Sequence, residues 1–322
     1  MKLLNHSLKA RILWLLASCV ALLLSWPFPA HAQKTRDENM NILRWEHSDT
    51  DIGLRRRLEI RGKAEFTDDY TDIKDVSDGG WVLVEEHRNG QSYRYEVRRD
   101  FGGGQLTRLF YVNGVAQPLD ANGKAWLAKF VLDAVRQGGF DAEKRVKTIL
   151  DQHGVSGVLA EIDQISGDYA KRLYYQQLLK QANLDANALR DVLRQMARNI
   201  SSDYEQAQLL TAVAPMLTGK EAAIQPFFDA VGTIKSDYEQ RRVLTAVARM
   251  KDQSEQVLRL LLASAERLAS DYEKATFLVE VSNVYTGDTR LKSAFLRAVE
   301  TIKSDYERGR VLSALLKNKQ IG

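Results

Sequence analysis

Cysteine is nearly missing from this chain: there is one, Cys19, in 322 residues. Histidine is almost as scarce, with five residues, and no apolar run reaches the roughly 20 residues of a comfortable membrane span. Each shortage removes a class of function. The shortage of cysteine matters most because of where Cys19 lies. Residues 1 to 32 carry Lys2, Lys9 and Arg11 without an acidic residue, then an apolar stretch from Ile12 to Trp26, then Pro27-Phe28-Pro29-Ala30-His31-Ala32. A basic region, an apolar core and an Ala-x-Ala end in that order read as a secretory signal peptide. Cleavage is expected before Gln33, which places the mature protein in the periplasm or outside the cell.

The alternative is a lipoprotein. Leu16-Ala17-Ser18-Cys19 would pass as a lipid-attachment box, although Val20 to Leu24 continue the apolar core beyond it. An uncleaved signal or a lipidated Cys19 would be the only route to the membrane. After cleavage no cysteine remains, which excludes disulfides, thiol nucleophiles and cysteine-ligated metals.

Charge of one sign is lacking as well. The whole chain has 46 basic and 42 acidic residues; the signal removes three basic residues and no acidic one, leaving 43 against 42. So even a balance excludes the concentrated basic face of a nucleic-acid binder. The remaining histidines, His47, His87 and His153, stand far apart, and no His-Glu-x-x-His occurs. There is no Gly-x-Ser-x-Gly elbow, and Gly102-Gly103-Gly104 lacks the Lys-Ser/Thr of a phosphate loop, so it reads as a turn between strands. The acidic stretch from Asp68 to Asp75 lacks the order of a calcium loop and reads as a solvated turn before the Trp81 strand. No catalytic, cofactor-binding or metal-binding residue is expected, and no cofactor.

What is present divides the chain in two. From Asn41 to about Gly114, short segments such as Trp81-Val82-Leu83-Val84 and Tyr93-Arg94-Tyr95-Glu96-Val97 alternate with turn signals, among them Asn89-Gly90 and Asn113-Gly114. Asn-Gly between alternating apolar residues is a strong hairpin signal. Then Trp126, Leu127, Phe130, Val131, Ala134 and Val135 follow the spacing of an amphipathic helix that would cover the sheet. Gly138-Gly139 breaks it, and everything beyond reads as helix. The expected fold is α+β: signal peptide 1 to 32, a small antiparallel β-domain with a closing helix at 33 to 139, and an α-helical solenoid of about five helix pairs at 140 to 322.

The solenoid follows from a repeat. Asp168-Tyr169, Asp203-Tyr204, Asp237-Tyr238, Asp271-Tyr272 and Asp305-Tyr306 are spaced by 35, 34, 34 and 34 residues. A fixed period of this size marks stacked units, each too small to bury its own apolar face. Ser202, Ser236, Ser270 and Ser304 stand three residues before Glu205, Glu239, Glu273 and Glu307, which is the Ser-x-x-Glu capping box. The serine hydroxyl is expected to accept the N–H at the third helical position, and the glutamate to return a bond to the serine N–H. The intervening aspartate sits at the positive end of the helix dipole, worth about 0.3 to 1 kcal/mol. Around each box four columns are apolar in all five units: Val158, Leu193, Phe227, Leu261 and Phe295; Ile165, Ile200, Ile234, Leu268 and Ile302; Tyr175, Leu210, Leu244, Leu278 and Leu312; Leu178, Val213, Val247, Val281 and Leu315. The first unit departs, with Gly167 for serine and Ala170 for glutamate, as suits a divergent terminal repeat.

The tyrosines are the functional candidates. Tyr204, Tyr238, Tyr272 and Tyr306, with Tyr169 before them, would form a ladder on one surface, and aromatic residues are enriched where partners bind. The competing reading packs each ring on the neighbouring unit's corner, with its hydroxyl on a backbone carbonyl.

Three features together resemble the non-catalytic periplasmic region of bacterial β-lactam-sensor-type membrane metallopeptidases: the stretch Phe66-Thr67-Asp68-Asp69-Tyr70-Thr71-Asp72-Ile73, the stretch Arg108 to Gly114 leading to Ala125-Trp126-Leu127-Ala128, and the repeated Ser-Asp-Tyr-Glu. The resemblance covers about residues 55 to 317. In those relatives the peptidase is a membrane domain with a zinc motif; this chain carries neither, so no catalytic residue transfers. The expected function is an exported envelope scaffold that binds or senses a protein or peptide, rather than an enzyme. The alternatives are a hydrolase with its site in the β-domain and a non-catalytic regulator of a membrane peptidase.

Overall fold

The computed structural model describes residues 32–37, 42–251, 253–282 and 289–317. The signal segment up to His31, Cys19 included, lies outside them. The fold is α+β, an N-terminal antiparallel sheet followed by helices. Among the described residues no helix is long and apolar enough to cross a membrane. The chain forms two compact units that divide between Leu132 and Asp133, ahead of the Gly138-Gly139 break.

The first unit is built on a seven-stranded sheet. Its strands are β1 (Ala32–Asp37), β2 (Ile42–Asp49), β3 (Leu54–Arg61), β6 (Trp81–Arg88), β7 (Gln91–Arg99), β8 (Leu106–Val112) and β9 (Val115–Gln117), antiparallel in that order. Between β3 and β6 the chain makes a separate hairpin, β4 (Ala64–Phe66) and β5 (Ile73–Val76). The two Asn-Gly pairs turn as expected. Asn89 and Gly90 have φ of 49° and 80°, Asn113 and Gly114 of 50° and 79°, the paired positive values of a type I′ turn that matches strand twist.

Alternation along these strands sorts the side chains into two faces. On one face Trp45, Leu58, Val84, Tyr95 and Phe110 stand opposite one another across five strands, and all five are buried. Helix α1 (Ala121–Gly138) covers part of this rung: Phe130 meets Trp45 edge-on at 6.1 Å, and Trp126 lies 5.8 Å from Phe110. The β4–β5 hairpin packs on β6 and β7, with Phe66, Tyr70, Ile73 and Val76 buried. This corrects the expectation of a solvated turn from Asp68 to Asp75. Two of the aspartates there have distant partners: Asp72 accepts the Tyr95 hydroxyl at 3.1 Å, and Asp75 takes an ion pair from Arg99.

The opposite face carries charge. Glu46, Arg57, Glu85, Arg94 and Tyr111 form a second rung across five strands, and Arg57 pairs with Glu85. Beside it Arg44 holds Glu59 at 2.6 Å, and both Arg94 and Arg98 hold Glu96.

The second unit runs from Asp133 and contains the end of α1 and ten further helices among the described residues. These are α2 (Ala142–Ile162, interrupted by a kink at Gly154, φ 64°), α3 (Asp168–Gln181), α4 (Ala186–Asn199), α5 (Asp203–Val213), α6 (Glu221–Val231), α7 (Asp237–Ala248), α8 (Glu255–Arg267), α9 (Asp271–Ser282), α10 (Thr289–Glu300) and α11 (Asp305–Lys317). They lie in two rows. Helices α3, α5, α7, α9 and α11 each pack on the next, and so do α2, α4, α6, α8 and α10. Of the four apolar columns read from sequence, every member is buried except Leu312, which is half-buried against the same core. The residues preceding and following each tetrapeptide therefore close one continuous core, and the tetrapeptide itself is left at the corner where one helix ends and the next begins.

Candidate partner-binding surface

The corner geometry starts with the serine. Ser202, Ser236, Ser270 and Ser304 accept the N–H of Glu205, Glu239, Glu273 and Glu307 at 3.3 to 3.4 Å, so half of the capping box forms as expected. The reciprocal half does not form. The N–H of each serine is bonded instead to the aspartate of the preceding tetrapeptide: Ser202 to Asp168 at 2.7 Å, Ser236 to Asp203 at 2.8 Å, Ser270 to Asp237 at 2.6 Å and Ser304 to Asp271 at 2.8 Å. One carboxylate thus sits on its own helix N-terminus and on the next corner at once. The Asp271 carboxyl is held below its ordinary range by the N–H groups of Ser304 and Lys303. At the first corner, where no tetrapeptide precedes, Gln137 on α1 accepts the N–H of Ser166 at 2.9 Å.

With the serine N–H taken, the glutamates turn to arginines. Glu205 pairs with Arg172 and Glu273 with Arg241, each on the preceding helix of the row; Glu239 pairs with Arg242 at 2.9 Å and Glu307 with Arg310 at 3.0 Å. The same guanidiniums lie over the tyrosines. Arg172 is 5.1 Å from the Tyr169 ring centre, Arg242 5.7 Å from Tyr204, Arg241 5.2 Å from Tyr238 and Arg310 5.3 Å from Tyr272, within cation–π range. Arg242 and Arg310 reach back one unit to do so.

The tyrosines do not pack into the corners. Tyr204 is 53% exposed, Tyr238 51%, Tyr272 56% and Tyr306 77%. Among the described residues no hydrogen bond engages their hydroxyls. The surface is thus a row of open rings, each of the first four backed by a guanidinium that is itself neutralised by a carboxylate. Such a row can offer flat apolar faces and hydroxyl donors to a ligand, but little net charge.

Sequence reasoning missed two groups of residues here. One is the arginines, which occur at third and fourth positions after the tyrosines and so look irregular when units are compared. The other is a column of long donors two residues after each tyrosine: Lys171, Gln206, Gln240, Lys274 and Arg308. Lys171 donates to the Asn199 carbonyl at 2.6 Å, Gln206 to Ala230 at 3.1 Å, and Lys274 to the Thr301 hydroxyl at 2.8 Å. Lys171, Gln206 and Lys274 thus reach the C-terminal end of a helix in the following unit, whereas Gln240 and Arg308 donate to the carbonyls of Ile234 and Lys303 at their own corners. Burial lowers the Lys274 ammonium below its ordinary range.

The sheet unit offers less. A shallow hollow of about 360 Å³ on its charged face is lined by Trp81, Leu83, Glu96, Arg98 and Phe101. The carboxylates Glu59, Glu85, Glu86 and Glu96 are each engaged by an arginine, with Glu59 and Glu85 sharing Arg57. Among the described residues no group of three or more His, Cys, Asp or Glu is placed to hold a metal. No protein-family model, curated protein or solved structure matches the chain.

Proposed function

We propose that the helical unit is a solenoid of five helix pairs, about 34 residues each, and that the protein works in the cell envelope as a scaffold binding a protein or peptide through its tyrosine row. Export would follow cleavage before Gln33. The observation that carries this reading is the exposure of one aromatic ring at the same place on successive helices, with its face braced by an arginine. Tyrosine and arginine are both enriched among the anchor residues of binding interfaces. Bracing fixes them before a ligand arrives, which lowers the entropy lost on binding. The paired carboxylates of the sheet unit give no comparable support to hydrolysis.

The test is crosslinked capture from the native envelope with the full chain and with a Tyr238→Ala, Tyr272→Ala variant. A partner captured by the first and lost by the second, with unchanged helical circular dichroism, supports the scaffold. Equal capture by both overturns it.

A further inference from the structure

The spacing and chemistry of the tyrosine row narrow the ligand. Helices α3, α5, α7, α9 and α11 pack each on the next, and the tyrosine is the second residue of every one. Packed helices lie about 8 to 10 Å apart axis to axis, which sets the scale expected for the interval between helix starts and hence between the rings. A polyproline II segment has three residues per turn and rises about 3.1 Å per residue, and so presents equivalent side chains every 9 Å or so. A β-strand presents same-face residues about every 6.6 Å, and its third residue points away. An α-helix comes near the interval only after two turns, about 10.8 Å.

Hydrogen bonding separates the same candidates. The carbonyls of an α-helix are already bonded within it, whereas those of polyproline II have no internal partner, and proline brings no N–H that would need an acceptor. The row offers donors of that kind: the hydroxyls of Tyr204, Tyr238 and Tyr272 are exposed and unused among the described residues. The carboxylates beside the rings, Glu205, Glu239, Glu273 and Glu307, are held on arginines, so the hydroxyls are the row's readiest polar groups. Those pairs also leave no surplus positive charge for an anionic polymer.

We infer that the tyrosine row binds an uncharged, proline-rich segment in polyproline II conformation, lying across the helices so that one residue in three meets each ring. This rests on the scaffold reading above and names its ligand class. Aromatic-lined surfaces are the common receptors for such segments, which are already stiff when free. Here the receptor is stiff too.

The experiment is fluorescence anisotropy of the full chain with a labelled oligoproline of about nine residues, three turns. A Gly-Ser peptide of equal length and a neutral oligosaccharide serve as rivals. The oligoproline is expected to bind more tightly than either. The Tyr238→Ala, Tyr272→Ala variant should lose at least about tenfold in affinity. Tyr238→Phe with Tyr272→Phe, which keeps the rings and removes only the donors, should lose several-fold. Tighter binding of either rival, or oligoproline binding indifferent to both variants, overturns the inference. If an envelope partner is captured through the tyrosines but oligoproline does not bind, the ligand class falls and the scaffold stands. If nothing depends on the tyrosines, both fall.

Discussion

Both units bury aromatic side chains, but only the helical unit also sets one outside at regular intervals. In the sheet unit Trp45, Tyr95, Phe110 and Phe130 are buried and in mutual reach with Trp126 and Tyr93, and the outer face is closed by arginine–glutamate pairs. In the helical unit leucine, valine and isoleucine fill most of the core, and a tyrosine is set outside at each corner. Both units pair arginine with glutamate. On the sheet the pairs lie both within and between strands, and Arg94 and Arg98 stay about half exposed; on the helices Arg172 and Arg241 are more enclosed, and the pairs brace rings that stand in solvent. An ion pair at a surface is worth little to stability by itself, about 0 to 1 kcal/mol. Its second use, holding a ring in place, occurs on the sheet too, where Arg94 lies 5.7 Å from the Tyr111 ring, but on the helical face it recurs at four successive corners.

The sharpest way to break this comparison is to remove one inward ring from each unit. Phe227 and Trp45 are both fully enclosed, and each truncation to alanine should cost about 3 to 5 kcal/mol. Hydrogen exchange should show Phe227→Ala opening the helices around α6 first, and Trp45→Ala the strands around β2. If either variant exposed both units equally, the two cores would not be separate.

A buried charge comes next. Glu161 is buried in the helical unit and accepts from Arg136 at 2.8 and 2.9 Å and from Arg145 at 2.7 Å. Burial pushes its carboxyl up, but the hydrogen bonds and charge of the two arginines outweigh it and hold it below its ordinary 4.5. A carboxylate depressed in the folded state adds stability that is complete above its unfolded pKa and disappears as pH falls through the folded value. Urea midpoints of the native chain should therefore drop on acidification below about 4.5. Glu161→Gln should be less stable at neutral pH and should show less of that drop. Glu161→Ala leaves two arginines without their carboxylate and should cost about 3 kcal/mol or more at neutral pH.

The aspartate relay is a smaller effect with a built-in control. Asp237 and Asp305 occupy the same place at their own helix starts, but only Asp237 holds a following serine N–H. Asp305 is almost wholly exposed and meets Arg308 on its own helix. Asp237→Ala should cost about 1.5 to 3 kcal/mol, the range for hydrogen bonds to a charged group. Asp305→Ala should stay within about 0.5 kcal/mol of the native chain. Equal losses in urea melts would reduce the relay to a dipole effect.

Much of this was legible in the sequence, for local reasons. Asn-Gly and Ser-x-x-Glu act within a few residues of themselves, so the hairpins and helix starts could be read from short stretches. The apolar columns could be read because the period aligned them. The relay escaped because a local partner, the glutamate three residues on, was available on paper for the serine N–H, while the partner it takes lies 33 or 34 residues back. The β4–β5 hairpin escaped for the same reason: Asp72 and Asp75 look solvated until Tyr95 and Arg99, more than 20 residues on, are folded against them. The open tyrosines were a choice between two readings, and only the braced rings of the folded chain separate them.

The smallest expected effect bears most directly on function. Tyr238 is half exposed, its hydroxyl is unused among the described residues, and its one ring partner is Arg241 at 5.2 Å. An exposed cation–π contact contributes about 0.5 to 1 kcal/mol, so Tyr238→Ala should lower stability by no more than that. Phe227→Ala should cost several times as much. A difference of this size in urea melts would mean that the helical unit scarcely uses the outward ring to fold, although it repeats that ring at every corner. A large loss on Tyr238→Ala would instead return the tyrosines to structure, and with them the case for a binding surface.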